Sequence, residues 1–262
     1  MSNPLVSVLM TSYNRESLIV DAIESVLAST YENFELIICD DGSTDATVEI
    51  AKKYGASDTR ISVHINEVNL GDYPNRNRAA SFAKGKYIKY VDSDDMVYPH
   101  CLEVMVTSME RCPEAGYGLC AHPDEKAPYP YSITPKKAYE EHFHGYGHFF
   151  RSPGSAIIKR ECFEKIGGFS GERMIGDTEL WFRLGRTYPM VKMVTGLYFY
   201  RIHGNQEQKS DYAKKQYKSL TEKVLNNALN HEDCPLIEAE KQNVFSNLRK
   251  QRQRSFIKSL IK

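Results

Sequence analysis

The stretch G-K-Y-I-K-Y-V-D-S-D-D at 85 to 95 decides the fold. Tyr87 to Val91 is a run of strand length rich in aromatic and branched residues, and it ends abruptly in Asp92, Ser93, Asp94 and Asp95. An apolar strand that stops in carboxylates reads as a buried strand whose end opens on a crevice. Working outward, two upstream segments repeat the pattern. Leu5 to Thr11 is followed by Ser12 and Tyr13, and Phe34 to Asp40 by Asp41 and Gly42. Between these runs lie stretches of helical period. Leu18, Ile19, Ala22, Ile23, Val26 and Leu27 fall three and four apart behind a capping Ser17. A second helix starts at Thr44 or Asp45 and continues to about Tyr54, Ile61 to Ile65 is a short strand, Asn75 to Ala83 is a helix, and Pro99 opens a helix to about Arg111. Strand and helix alternate, which predicts an α/β domain with a mixed, mostly parallel central sheet flanked by helices. Ligands bind such sheets beyond the carboxyl ends of the strands, so the three polar segments are expected to converge on one crevice.

Downstream the pattern loosens. Ala121 to Ser152 carries much Pro, Gly, Tyr and His without a period and reads as a long functional loop. Gly154 to Lys159 then reads as a strand, Arg160 to Ile166 and Glu179 to Thr187 as helices, and Met190 to Arg201 as one or two strands. From Tyr212 onward the chain is helical and polar, ending in six basic residues between Arg249 and Lys262 with no acidic one.

Composition removes several function classes. Lys plus Arg and Asp plus Glu both total 34, so a chain of 262 residues carries no net charge and lacks the basic field of a protein whose main partner is nucleic acid. No apolar run approaches the roughly 18 residues that a membrane-spanning helix needs. The first residues, MSNPLVSVLMTSYNRE, do not read as a secretion signal, so a cytoplasmic location is expected. Six cysteines, at 39, 101, 112, 120, 162 and 234, form no C-x-x-C pair and are expected to be reduced thiols, mostly buried.

Two constellations carry chemistry. On an extended chain Asp92 and Asp94 point to one face with Cα atoms about 6.6 Å apart, a hard-oxygen pair suited to Mg²⁺ or Mn²⁺. The competing reading is an acidic turn that caps the helix after Pro99. Carboxylates packed without a counter-ion would raise one another's pKa. No glycine-rich phosphate cradle is present, so a bound phosphate would rely on the cation and on Arg76, Arg201 and His203. The second constellation is Gly167, Gly168 and Phe169 followed by Asp177, Leu180, Trp181 and Arg183. Asp177 reads either as the N-cap of the following helix or as a base at a helix start, and Trp181, the single Trp, as a core plug.

Taken in order, V-S-V-L-M-T-S-Y-N-R at 6 to 15, I-I-C-D-D-G-S-T-D at 37 to 45, N-R-N-R-A at 75 to 79, the opening stretch at 85 to 95, G-G-F at 167 to 169 and G-D-T-E-L-W-F-R-L at 176 to 184 resemble the family 2 glycosyltransferases of GT-A fold. The resemblance covers roughly residues 4 to 205. It implies a catalytic domain over 1–205, with a nucleotide-binding half at 1–98 and an acceptor-binding half at 99–205, followed by a helical extension at 206–262. It also implies that Thr11, Tyr13, Asp40, Arg76, Asp92 and Ser93 hold the nucleotide, with Asp40 on the base. Asp92 and Asp94 resemble the D-x-D pair that binds Mn²⁺ or Mg²⁺ on the donor diphosphate, Asp177 the catalytic base, and Arg201 and His203 a late loop over the diphosphate. Two departures stand out: Gly176 precedes Asp177 where an acidic residue is usual, and Asn75 precedes Arg76 where Ala is commoner.

The expected activity is single-displacement transfer of a sugar from a nucleoside-diphosphate donor, UDP by default, to a hydroxyl of a glycan or lipid-linked acceptor. Asp177, expected at an ordinary pKa near 4, acts as the base. A nucleotide-sugar-binding module without turnover and a sugar nucleotidyltransferase are the alternatives. Trp181, Phe149 and Tyr146 are candidate acceptor contacts, since sugars stack on aromatic faces. His142, His144 and His148 resemble a metal cluster on paper, although packing in an aromatic loop is the simpler account. Phe256, Ile257, Leu260 and Ile261 share a face among basic residues, which suits peripheral contact with the inner face of an anionic membrane, although a solvated helix or a homo-oligomer contact is the simpler account.

Overall fold

The computed structural model describes residues 3–121, 127–204, 206 and 209–260. Its first half alternates β1 (Val6–Ser12), α1 (Ile19–Leu27), β2 (Phe34–Asp40), α2 (Thr47–Ser57), β3 (Ile61–Ile65), α3 (Asp72–Ser81) and β4 (Tyr87–Tyr90). The second half contains β5 (Met96–Val97), α4 (Cys101–Arg111), β6 (Tyr117–Cys120), β7 (Tyr131–Ile133), α5 (Pro135–Glu141), β8 (Ala156–Lys159), α6 (Arg160–Lys165), α7 (Gly176–Thr187), β9 (Met190–Met193), β10 (Tyr198–Phe199), α8 (Asp211–Asn230) and α9 (Glu238–Leu260).

Eight strands form one sheet in the order β3-β2-β1-β4-β8-β6-β9-β7, and β5 and β10 form a separate antiparallel pair. The β3-β2-β1-β4 half is parallel, with Val6 of β1 opposite Phe34 of β2 and Tyr87 of β4. β8 runs antiparallel to both β4 and β6. Val6, Val8, Leu9 and Met10 are all fully buried, because helices cover both faces of the sheet. One core packs α1, α2 and α4 against the sheet through Val8, Ile23, Ala51 and Met105. The other gathers Leu9, Tyr139, Trp181 and Phe182 with Val224, Leu225 and Leu229 of α8 and Val244 of α9. The helical extension is thus part of a shared core and not a detached arm. The side chains of residues 254–260, and all of Ile261, lie outside the described residues, and with them the apolar face of Phe256, Ile257, Leu260 and Ile261.

Several boundaries differ from expectation. Ser17 does not cap α1: the helix starts at Ile19, whose N–H and that of Leu18 both bond to the carbonyl of Arg15. α3 begins at Asp72, ahead of Asn75, because Gly71 enters it with φ of 88° while the Leu70 and Gly71 N–H groups donate to Asp41 at 2.8 and 2.9 Å. The segment expected as an irregular loop contains β7 and α5. Thr134 accepts from the Lys137 N–H at 3.3 Å with Pro135 at the first helical position, a start signal hidden among neighbouring Pro and Tyr residues. Asp177 is not an N-cap, since α7 already begins at Gly176. No helix among the described residues is long and apolar enough to cross a membrane. Five cysteines are buried, Cys234 is partly exposed, and all six are free thiols.

Candidate active site

A cavity of about 720 Å³ opens at the carboxyl ends of β1, β2 and β4, within the range of small-ligand sites. Thr11, Tyr13 and Arg15 reach it from the end of β1, Asp41 from β2, Asp72 and Arg76 from α3, Asp92 to Asp95 from β4, and Asp177 from α7. Asp94 and Asp177, 83 residues apart by subtraction of their numbers, therefore share one pocket.

The base-binding carboxylate expected at Asp40 is not in the cavity wall. Asp40 is fully buried and saturated by its own neighbourhood: it accepts from Ser12 Oγ at 2.9 Å, from Ser43 N at 2.7 Å and from Ser43 Oγ at 2.6 Å. It staples β1 to the turn after β2, and Asp41 is the neighbour that lines the cavity. Successive side chains on a strand face opposite ways, so only one of two adjacent aspartates can point into the crevice. Asp41 in turn accepts from Asn66 Nδ2 at 2.7 Å, and the same Nδ2 donates to Asn75 Oδ1 at 2.9 Å. Asn75 Nδ2 donates to the Cys39 carbonyl at 3.0 Å. The unusual Asn75 therefore ties α3 to the end of β2.

The segment after β4 is a tight turn and not extended chain, closed by the Asp95 N–H on the Asp92 carbonyl at 3.0 Å. That turn brings a third carboxylate into the group. Asp92, Asp94 and Asp95 each present an oxygen within 4.8 Å of the others. Asp95 is 4% exposed, and burial, with the charges of Asp92 and Asp94, pushes its pKa up to about 7. The reading of these residues as caps of α4 fails, because β5 intervenes before that helix. Three clustered hard oxygens fit Mg²⁺ or Mn²⁺. Asp94 Oδ2 also lies 3.2 Å from Arg15 Nε and 2.9 Å from His203 Nε2. Ser93 is buried inside the turn and lines the cavity.

Arg76 spans the floor between two carboxylates, with Nε 2.7 Å from Asp72 and Nη1 2.7 Å from Asp92. Beyond it, Asp177 sits recessed in the wall, its Oδ1 accepting from Thr178 N at 2.6 Å. Burial is the dominant influence and raises its pKa to about 6, against the pull of that N–H and of Arg76, with Asp72 adding to the rise. The ordinary value near 4 is thereby corrected: the carboxyl is desolvated. Gly176 also finds its reason. A Cβ there would stand 2.7 Å from the Tyr73 ring, so no acidic side chain fits beside Asp177.

The late loop is split in role. His203 meets Asp94, but the Arg201 side chain turns to Asp21 on α1 at 2.9 Å, and only its backbone N–H reaches the acidic turn, on Asp95 at 3.0 Å. Tyr200 lines the cavity instead. The expected aromatic acceptor wall is corrected as well. Trp181 and Phe149 are fully buried, and the Trp181 indole donates to the Arg151 carbonyl at 2.7 Å, so both are core residues. The Tyr146 side chain lies outside the described residues. His142 accepts from Phe149 N, His148 meets Glu141 at 2.8 Å and His144 meets the Glu140 carbonyl, three separate engagements. Arg15, Asp72 and Arg173 are among the cavity residues that sequence reasoning does not single out, and it places Asp41 and Asp95 at the crevice without giving them a role there.

Comparison with known proteins bears on the family and the fold. The model of glycosyl transferase family 2 matches residues 7–167. The Escherichia coli UDP-Glc:alpha-D-GlcNAc-diphosphoundecaprenol beta-1,3-glucosyltransferase WfgD is 41% identical over 109 residues, covering 42% of this chain and 42% of WfgD. Glycosyltransferase GlyG of Streptococcus pneumoniae is 38% identical over 106 residues, covering 40% of this chain and 35% of GlyG. The matches span only 30–44% of the length of these and other curated relatives. In structure, residues 1–349 of Staphylococcus aureus TarS in complex with UDP-GlcNAc match with a TM-score of 0.71 at 19% identity, over 91% of this chain and 70% of that one. Mannosyltransferase PcManGT from Pyrobaculum calidifontis, in complex with GDP-Man and Mn²⁺, matches with a TM-score of 0.65 at 15% identity, over 95% of this chain and 76% of that one. These structures share the GT-A fold with this chain. With a family match over more than half of its 262 residues, the chain belongs to the family 2 glycosyltransferases.

Proposed function

We propose that the chain is an inverting glycosyltransferase that moves a sugar from a UDP-linked donor to a hydroxyl of a glycan or lipid-linked acceptor in surface polysaccharide assembly. The observation that carries this reading is the shared cavity, with the recessed carboxyl of Asp177 and the cluster of Asp92, Asp94 and Asp95 in one wall system.

Asp177 takes the proton from the acceptor hydroxyl as its oxygen bonds to the anomeric carbon. The bond from that carbon to the diphosphate oxygen breaks, and its electron pair leaves with the nucleoside diphosphate. One displacement inverts the anomeric centre. With a pKa raised to about 6, Asp177 is still mostly ionised at neutral pH and is a stronger base than an ordinary carboxylate. Arg76, braced by Asp72 and Asp92, offers fixed positive charge beside the leaving group. Asp41, Thr11 and Tyr13 form the nucleotide side, so the base-recognition role moves from Asp40 to Asp41. A Mn²⁺ or Mg²⁺ ion held by Asp92, Asp94 and Asp95 would offset the charge that develops on the diphosphate. The name of WfgD specifies a diphosphoundecaprenol-linked acceptor. A comparable substrate here would bring the chain to the inner face of the cytoplasmic membrane.

The test is a screen of nucleotide sugars with Mn²⁺ present, repeated with extracted lipid-linked glycans. Release of nucleoside diphosphate that depends on Asp177 and on the cation is the expected result. Pyrophosphate release would identify a nucleotidyltransferase, and binding without any product a sugar-binding module; either outcome ends the reading.

A further inference from the structure

With Trp181 and Phe149 inside the core, an acceptor sugar must find its contacts elsewhere. The segment 170–175 forms one lip of the cavity, with Gly171, Arg173 and Met174 in the wall. Both its ends are fixed. Asn77 grips Phe169 from both sides, donating to its carbonyl at 2.8 Å and accepting from its N–H at 2.9 Å. Ile175 is fully buried at the start of α7. Between these anchors, Gly171 and Met174 take left-handed backbone with φ of 87° and 70°, which is costly for methionine. A lip in such a conformation needs support from a neighbouring element.

That support comes from α8. Lys223 Nζ stands 2.5 Å from Glu172 Oε1, and the guanidinium carbon of Arg173 lies 4.6 Å from the centre of the Tyr212 ring. Lys223 and Glu172 are substantially exposed, so their pair contributes little; the seat of the Arg173 guanidinium over the Tyr212 ring is the more directional restraint. Tyr217, further along the same helix, is 42% exposed, and partial burial of its hydroxyl, with a smaller contribution from the Asp177 charge, raises its phenol pKa. One helix therefore steadies a cavity arginine.

We propose that the acceptor subsite is built by segment 170–175 with α8, where Arg173 contacts a pyranoside acceptor and Tyr212 is the positioning residue that holds Arg173 in place. This rests on the transferase reading above. The guanidinium offers a planar set of N–H donors to sugar hydroxyls. Pre-ordering Arg173 on Tyr212 lowers the entropy lost on binding.

The test uses the full chain with Mn²⁺, UDP-glucose or UDP-N-acetylglucosamine as donor, and octyl glucoside, galactoside and N-acetylglucosaminide as acceptors. Tyr212→Leu should raise the acceptor KM about 2- to 5-fold while moving the donor KM less than about 1.5-fold, the size expected for loss of one cation–ring contact near the surface. Tyr212→Phe, which keeps the ring, should restore the wild-type acceptor KM. Arg173→Ala should raise the acceptor KM by about tenfold or more, the loss of a charged hydrogen-bonding pair, and Arg173→Lys should not restore it. An unchanged acceptor KM in Tyr212→Leu, an equal rise in donor KM, or donor hydrolysis without transfer to any octyl pyranoside would overturn the proposal. Hydrogen exchange provides a substrate-free arm: amides of 170–175 should exchange faster in Tyr212→Leu and not in Tyr212→Phe, and equal protection in all three proteins would also overturn it. Wild-type protein that releases no nucleoside diphosphate from any donor would instead defeat the transferase reading, while the exchange arm still tests the grip of α8 on the lip.

Discussion

Replacing Asp177 by Asn separates catalysis from stability in one variant. The carboxyl is raised from 3.8 to about 6, chiefly by burial, so holding it ionised in the folded protein costs up to about 3 kcal/mol, at 1.36 kcal/mol per unit. The sign follows from linkage. Because the folded pKa lies above the unfolded one, the stability tied to the protonated form is fully present below about pH 4 and is lost as pH rises through 6. An Asn side chain stays neutral throughout. Relative to the wild type, Asp177→Asn should therefore gain about 2 kcal/mol on going from pH 4.5 to pH 8, a change in the Tm gap on the order of 4 °C or more. Turnover at pH 8 should fall by about 10² or more with donor affinity retained, since general-base catalysis contributes about that much. Thermal melts of both proteins at the two pH values, together with nucleoside diphosphate release at saturating donor, supply the measurements. A Tm gap that does not change with pH would refute the buried, raised carboxyl, and undiminished transfer would refute its role as base.

Four further outcomes follow from the same geometry. Wild-type kcat/KM should rise with pH through an apparent pKa near 6, whereas a profile flat from pH 5 to 8 would remove Asp177 as the titrating base. Asp94→Ala should abolish the Mn²⁺-dependent part of UDP binding by calorimetry, and equal UDP affinity with and without cation in the wild type would count against the acidic cluster as its site. Asp40→Ala and Asp41→Ala each remove the acceptor of three hydrogen bonds and should each lower stability by about 3 kcal/mol in urea melts, but only Asp41→Ala should also weaken nucleotide binding; nucleotide affinity lost in Asp40→Ala and kept in Asp41→Ala would return Asp40 to the nucleotide site. Gly176→Ala sets a methyl 2.7 Å from the Tyr73 ring and should cost about 1–3 kcal/mol by overpacking, with Tyr73→Leu in the same chain relieving it.

Much of the fold was legible because its signals are local. β2 and β3 fall on the expected residues, and apart from the short β5 the order of elements through Arg111 follows the alternation of apolar runs with helical periods. The gathering of Asp94 and Asp177 in one cavity was also legible, through the rule that parallel strands end at a common crevice and through the resemblance of the ordered blocks. The misses share a different cause. Asp40 and Asp41 have identical side chains, and only the packing of β1 against β2 turns one inward to Ser12 and Ser43. Asp95 joins the cluster because the chain turns after Tyr90, which the spacing of D-x-D does not reveal. Arg201 and His203 are two residues apart, yet the nearness of Asp21 draws the arginine away.

Residue types and their order settle the α/β alternation, the absence of a glycine-rich phosphate cradle and the choice of oxygen ligands suited to a hard cation. These follow from hydrophobic period and side-chain chemistry, which travel with each residue wherever it lies. Folding settles which aspartate faces the cavity, why Asp177 titrates near 6, why Gly176 must stay small and which aromatics are buried. Each of these depends on distances between segments far apart in the chain, and desolvation and steric fit come into being only when those segments meet.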